Sequence, residues 1–300
     1  MKKLSKVFSA LFCIMLLSAC AAGIQNDETE VRQESTTGVE IEEKDGEEYF
    51  LFQDVEENTY RAELLENVPR NTYDFSYMSV DENTGFRTYH DEENGITSRM
   101  GIDVSEFQGE EIDWEQVRKS GIEFVIIRLG YRAYGESGDL VLDDMFDKNI
   151  KGAMDAGLDT GVYFFSQAVT PTEAVEEAEF VLDHIRPYDI EGPVVYDTEE
   201  IKGDTARTDG NTRQDFTNYC KVFCDTIEHA GYGSMIYANM KWMAFTLDME
   251  ELTDYRFWYA DYHELPQCPY EYTIWQYSEN GTVPGINTPV DLNIWFQKEG

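Results

Sequence analysis

The 300-residue chain carries 60 acidic against 23 basic residues, a formal net charge of −37, which repels nucleic acid and anionic lipid head groups and argues against both as partners. An apolar share of 42% and an aromatic share of 14% fit a globular core with aromatic surface left over for a cleft. Five cysteines without regular spacing do not describe a disulfide framework, and four scattered histidines lack ligand spacing, so neither a metal nor another cofactor is expected.

The first residues read MKKLSKVFSALFCIMLLSAC. Lys2, Lys3 and Lys6 precede an apolar run from Val7 to Leu17 that is short for a membrane span, so residues 1–19 read as an export signal. Leu17-Ser18-Ala19-Cys20 resembles the bacterial lipobox, which implies lipid on Cys20, anchorage to the cell membrane and an extracytoplasmic domain. Residues 20–48 are polar, acidic and nearly free of aromatics, the composition of a disordered tether. Residues 49–98 turn aromatic, with YFLF at 49–52 and TYDFSYMSV at 72–80, and are expected to form a small hairpin extension packed on the main domain.

From residue 99 to the C-terminus, apolar runs alternate with amphipathic segments. The strand-like runs are 100–104, 124–130, 160–166, 193–197, 234–239, 256–261, 272–277 and 289–295. Helices are expected from Trp114, across 143–156, from Pro171, from Arg213 and, briefly, from Lys241. Asp113 with Gln116 has capping spacing, and Thr170-Pro171-Thr172-Glu173 adds proline at the first helical position. This alternation predicts an α/β fold with a parallel sheet, and eight strands allow closure into an irregular TIM-like barrel with few late helices.

Acids stand at or just past the ends of these strands: Asp103 on the first, Asp197 and Glu199 on the fourth, Asp291 on the eighth. In such barrels the strand C-termini carry the active site. Asp197 and Glu199 are two apart, so in extended chain both project to one side with Val195, while Val194 and Tyr196 face the helices. An acid in an apolar strand costs several kcal/mol unless paired, and converging carboxylates push their pKa values apart to give an acid and a base or stabiliser. That suits glycoside cleavage. A metal-dependent hydrolase and a carboxylate-lined binding site stay open on spacing alone. Arg128, inside an apolar strand, is a candidate partner for the acids.

GIDVSEFQGEEIDW from Gly101, GVYFFSQA at 161–168, PVVYDTE at 193–199, WYADY at 258–262, WQYS at 275–278 and VDLN at 290–293 together resemble family 25 glycoside hydrolases, the Chalaropsis-type muramidases. The resemblance covers about 200 residues from Met100 onward. It implies a (β/α)5β3 barrel and hydrolysis of the β-1,4 bond between N-acetylmuramic acid and N-acetylglucosamine, with peptidoglycan strands as partner and a monomeric enzyme. By motif, Glu199 is the general acid. Asp197 orients or stabilises the substrate acetamido group in a substrate-assisted, retaining route, and Asp103 and Asp291 tune the acid and bind substrate. Tyr163, Tyr237, Trp258, Tyr262 and Trp275 are the expected sugar-binding walls. A non-catalytic wall-binding lipoprotein and a hydrolase of another N-acetylated glycan are the competing readings. An anchored enzyme of this kind points to wall remodelling.

Overall fold

Eight strands close into a barrel in the structure, a computed structural model that describes residues 30–33, 39–109 and 111–298. They are β1 (Ile96–Val104), β2 (Phe124–Arg132), β3 (Asp159–Phe165), β4 (Val194–Asp197), β5 (Ser234–Asn239), β6 (Phe257–Ala260), β7 (Ile274–Gly281) and β8 (Val290–Lys298). Helices follow the first five: α1 (Trp114–Lys119), α2 (Phe146–Asp155), α3 (Pro171–Ile185), α4 (Arg213–His229) and α5 (Met240–Phe245). The helix starts rest on side-chain caps. Asp113 accepts from the Gln116 amide, Thr170 from the Glu173 amide and Asn239 from the Trp242 amide.

Strands β1 through β7 run parallel to their neighbours. The expectation of a parallel sheet fails at one strand. β8 is antiparallel to both β7 and β1 and closes the barrel between them. The link from β7 to β8 is too short for a parallel crossover, which needs a dozen or more residues. The reversal matters for the site, because it brings the start of β8, with Asp291, to the end where β1 finishes with Asp103.

The barrel interior is filled by Phe124, Ile126, Val195, Met235, Trp258 and Ile274, while Val194, Tyr196, Phe164 and the apolar faces of the helices form a second, outer layer. Phe124 fills its end of the barrel so closely that a Cβ on Gly101 would lie 2.3 Å from its ring. Glycine at 101 is the condition for that packing.

The N-terminal part departs from both expectations made for it. Val39 is buried, and Glu40–Lys44, Glu47–Gln53 and Thr59–Glu63 form an antiparallel meander extended by Glu30–Gln33, so the stretch expected as tether contributes strands. Asp45 and Gly46, both at positive φ, make the tight turn between the second and third strands of that meander. Its acidic residues alternate with Ile41, which packs on the core, so pairing with a neighbouring strand decided what composition could not. Residues 1–29 and 34–38, including the export signal and Cys20, lie outside the described residues. In place of one hairpin there are two. Phe50 and Phe52 of the first pack against Tyr270 and Phe245. The second, Met78–Val80 with Arg87–Asp91, adds to the edge of β1, and Tyr73 stacks on Phe296 at 4.1 Å.

Candidate active site

Asp103, Asp197, Glu199 and Asp291 converge at one end of the barrel. β1 and β8 place Asp103 directly opposite Asp291 across the ladder. Asp103 Oδ2 accepts from Gln276 Nε2 at 2.8 Å and from Asn293 Nδ2 at 2.7 Å, and Asp291 donates to the same carboxylate. Burial raises the Asp103 pKa and these three donors pull it back, so Asp103 is the member built to hold a charge. Asp291 is pushed up to about 9, first by burial and then by the charge of Asp103 and the hydrogen bond to it. The two carboxyls share one proton, as like charges at contact require.

Asp197 ends β4. Its backbone carbonyl accepts from the Ser166 amide at 2.7 Å, and the residue is 7% exposed. Oδ1 of Asp197 is buried with no hydrogen-bond partner among the described residues. Burial, then the neighbouring Glu199 and Asp103, raise its pKa well above the ordinary carboxyl value, while Arg128 opposes this weakly. Glu199, just beyond the strand, is raised by burial and by Asp103; the Tyr237 hydroxyl, hydrogen-bonded to it, and Lys202 work the other way. The segment after β4 is fixed from behind. Arg207 pairs with Glu173 at 2.8 Å and its amide donates to the Tyr134 carbonyl, while Thr208 donates to Gln167. Under it lies a buried polar group in which Arg132 holds Glu177 at 2.7 Å and Ser166 donates to Glu177 at 2.6 Å.

The aromatic candidates separate into three groups. Tyr237 and Tyr262 line an open cleft of about 1230 Å³ together with Glu199, and both hydroxyls donate to Gln276 Oε1, at 3.0 and 2.9 Å. Tyr163 is partly buried beside the acids, with Trp258 edge-on to its ring at 6.0 Å. Trp258 is 2% exposed inside the barrel and donates to Asn293 Oδ1 at 2.7 Å, so it supports the floor and forms no wall. Trp275 is corrected outright. It points to the outer layer, donates to the Asp261 carbonyl and lies under Arg87, 4.6 Å from the ring centre. In β7 the inward positions are Ile274 and Gln276, and the pleat sends Trp275 the other way. Arg128 pairs with Asp143 and Glu106, both at 2.8 Å, and touches none of the four acids directly.

Gln276 and Asn293 make contacts that motif reading left unassigned. They connect Asp103 to Tyr237, Tyr262 and Trp258. A signal existed: Asn293 is two residues from Asp291 on one strand and therefore on its face. Asp261 and His263 were likewise not singled out. Asp261 accepts from His263 Nδ1 at 2.6 Å and from Tyr259, and that carboxylate raises the His263 pKa. No group of three or more histidine, cysteine, aspartate or glutamate residues among those described could hold a metal ion. Cys220, Cys224 and Cys268 are free and buried, and burial pushes the Cys224 thiol up to about 12.

Residues 102–286 match the pattern of Glycosyl hydrolases family 25. The chain is 27% identical over 194 residues to the autolytic lysozyme of Clostridium acetobutylicum, a match covering 64% of this chain and 54% of that protein. Its fold is similar to the modular autolysin LytC of Streptococcus pneumoniae, solved with a synthetic peptidoglycan ligand, with a TM-score of 0.58 and 22% identity over 84% of this chain and 57% of that one. It is also similar to the spore cortex lytic enzyme SleM of Clostridium perfringens, with a TM-score of 0.57 and 22% identity over 66% of this chain and 67% of that one.

Proposed function

This chain belongs to glycosyl hydrolase family 25 and is a glycoside hydrolase, and we propose that it cleaves the β-1,4 bond between N-acetylmuramic acid and N-acetylglucosamine in peptidoglycan with Glu199 as general acid. The observation that carries the reading is the pairing of Glu199 in the cleft with Asp197 beneath it, whose Oδ1 is a buried acceptor without a donor. A substrate acetamido N–H is a donor of the right kind.

Burial raises the Glu199 pKa, which favours the protonated form that donates to the glycosidic oxygen as that bond breaks. The acetamido oxygen of the same sugar closes on the anomeric carbon, and Asp197 Oδ1 accepts from the acetamido nitrogen, whose growing positive charge favours the carboxylate form that burial disfavours in the free enzyme. The Glu199 carboxylate then takes a proton from water, which opens the ring with net retention. Asp103, steadied by Gln276 and Asn293, supplies negative potential below the reacting sugar, and Tyr237 orients Glu199. A hydroxyl donating to Gln276 fixes Tyr262 at the mouth of the same cleft.

The test is release of reducing ends from purified peptidoglycan. Glu199→Gln should lower kcat by about 10³-fold, within the range for losing general acid catalysis. Wild-type turnover in that variant sinks the assignment. Mass spectrometry of the digest should find muramic acid at the new reducing ends, and glucosamine there would move the enzyme to another bond. We further propose that lipid on Cys20 anchors the enzyme outside the cell membrane. Metabolic labelling with an alkyne fatty acid should tag the wild type and not Cys20→Ala, and equal tagging of both would refute the anchor.

A further inference from the structure

The family match begins at residue 102, yet the cleft has a wall that lies before it. The loop between strands Glu47–Gln53 and Thr59–Glu63 lines the same cleft as Glu199, through Gln53, Asp54, Val55 and Glu56. Its shape is fixed from within. Asp54 accepts from Asn58 Nδ2 at 3.2 Å, from the Asn58 and Glu56 amides at 3.0 and 2.9 Å and from the Tyr60 hydroxyl at 2.9 Å, and against the effect of burial these bonds hold its carboxyl down to about 2. It is also tied to the barrel. Gln267 accepts from the Gln53 amide at 2.8 Å and donates to the Gln53 carbonyl at 3.1 Å, and its own amide donates to Asp261. Val55 stands at the tip, 61% exposed, on the cleft side. Across from it, Lys202 of the segment after Glu199 lies 3.9 Å from Glu56, an exposed pair that contributes little to holding the loop.

A cleft of about 1230 Å³ exceeds the roughly 300–1,000 Å³ that encloses one small ligand. Gln53, Asp54, Val55 and Glu56 are part of its lining. Resting on the peptidoglycan reading, we propose that the 53–58 loop is a built part of the substrate cleft, which grips the glycan strand beyond the disaccharide being cut, with Val55 packed on the apolar face of a sugar. A rigid aliphatic tip presented beside polar neighbours is suited to a pyranose, whose C–H face is apolar and whose rim is polar.

The experiment compares the full chain with two variants: Val55→Asp, and a loop in which residues 54–58 are replaced by Asn-Gly. The second keeps the Gln53–Thr59 pairing with a tight hairpin turn. Val80→Asp, 55% exposed and outside the cleft, is the matched surface control. Both loop variants should raise KM on polymeric peptidoglycan about tenfold, with kcat falling less, and should do so equally on glycan stripped of its peptides; Val80→Asp should match wild type. KM within twofold of wild type for both loop variants overturns the proposal. A loss confined to peptide-bearing wall overturns the sugar contact and assigns the loop to the peptide. Glu199→Gln run alongside separates the two readings: its full activity would sink the proposed chemistry, whereas a dead Glu199→Gln with indifferent loop variants sinks the loop alone.

Discussion

Asp291→Asn should make the protein more stable, and by an amount that grows with pH. The fold keeps a proton on Asp291 up to about pH 9, whereas an exposed aspartate releases it near 4. The stability linked to that proton is complete below about pH 4 and is lost progressively as pH rises toward 9. At pH 7, about three units above the ordinary value, holding the proton costs about 4 kcal/mol at about 1.4 kcal/mol per unit. Asp291 is only partly buried, and screening by the solvent that reaches it reduces this by roughly half, to about 2 kcal/mol. The same reasoning gives about 0.7 kcal/mol at pH 5. Asparagine is neutral throughout and its amide still donates to Asp103. Urea unfolding of both proteins at pH 5 and 7 should show the variant ahead by these amounts, or about 4–8 °C in Tm at pH 7. An advantage that stays constant between the two pH values would mean that Asp291 is ionised in the fold, and the shared-proton account of the Asp103–Asp291 pair would fail.

Arg132→Met should cost about 3 kcal/mol in urea unfolding, because it strands the buried Glu177 carboxyl that Arg132 now holds. Trp275→Phe should lower the unfolding midpoint through loss of the hydrogen bond to Asp261 while leaving KM for peptidoglycan as in wild type; a raised KM would return Trp275 to the cleft. Phe50→Ala, at a fully buried position, should cost about 3–5 kcal/mol. The N-terminal meander and the barrel should still melt in one calorimetric transition, since Phe50 and Phe52 pack directly on barrel residues; two transitions would show the meander to be an independent unit.

Much of the acid-bearing end of the barrel was legible because its signals are local. An acid two residues after another at the end of an apolar run specifies both a strand and a shared direction, so Asp197 and Glu199 could be placed before any tertiary contact was known. Helix starts at Asp113 and Thr170 were readable for the same reason, since a cap is satisfied within one turn. The aromatic walls were not. Trp258 and Trp275 look alike in sequence, and what separates them is the phase of the pleat and the layer waiting on each side. Composition misjudged residues 39–48, because an acidic segment gains order from a partner strand that composition does not contain.

What the sequence by itself determined is the set of carboxylates, their spacing on the strands and the alternation that makes a barrel, all properties of a few neighbouring residues. What only the tertiary structure decided is which groups meet across long separations. The reversal of β8 sets Asp291 against Asp103, Gln276 and Asn293 close the hydrogen bonds beneath the acids, and a loop about 145 residues ahead of Glu199 becomes a wall of its cleft. Those contacts depend on how the barrel closes and on which surfaces its layers cover, and chain closure is a property of the whole fold.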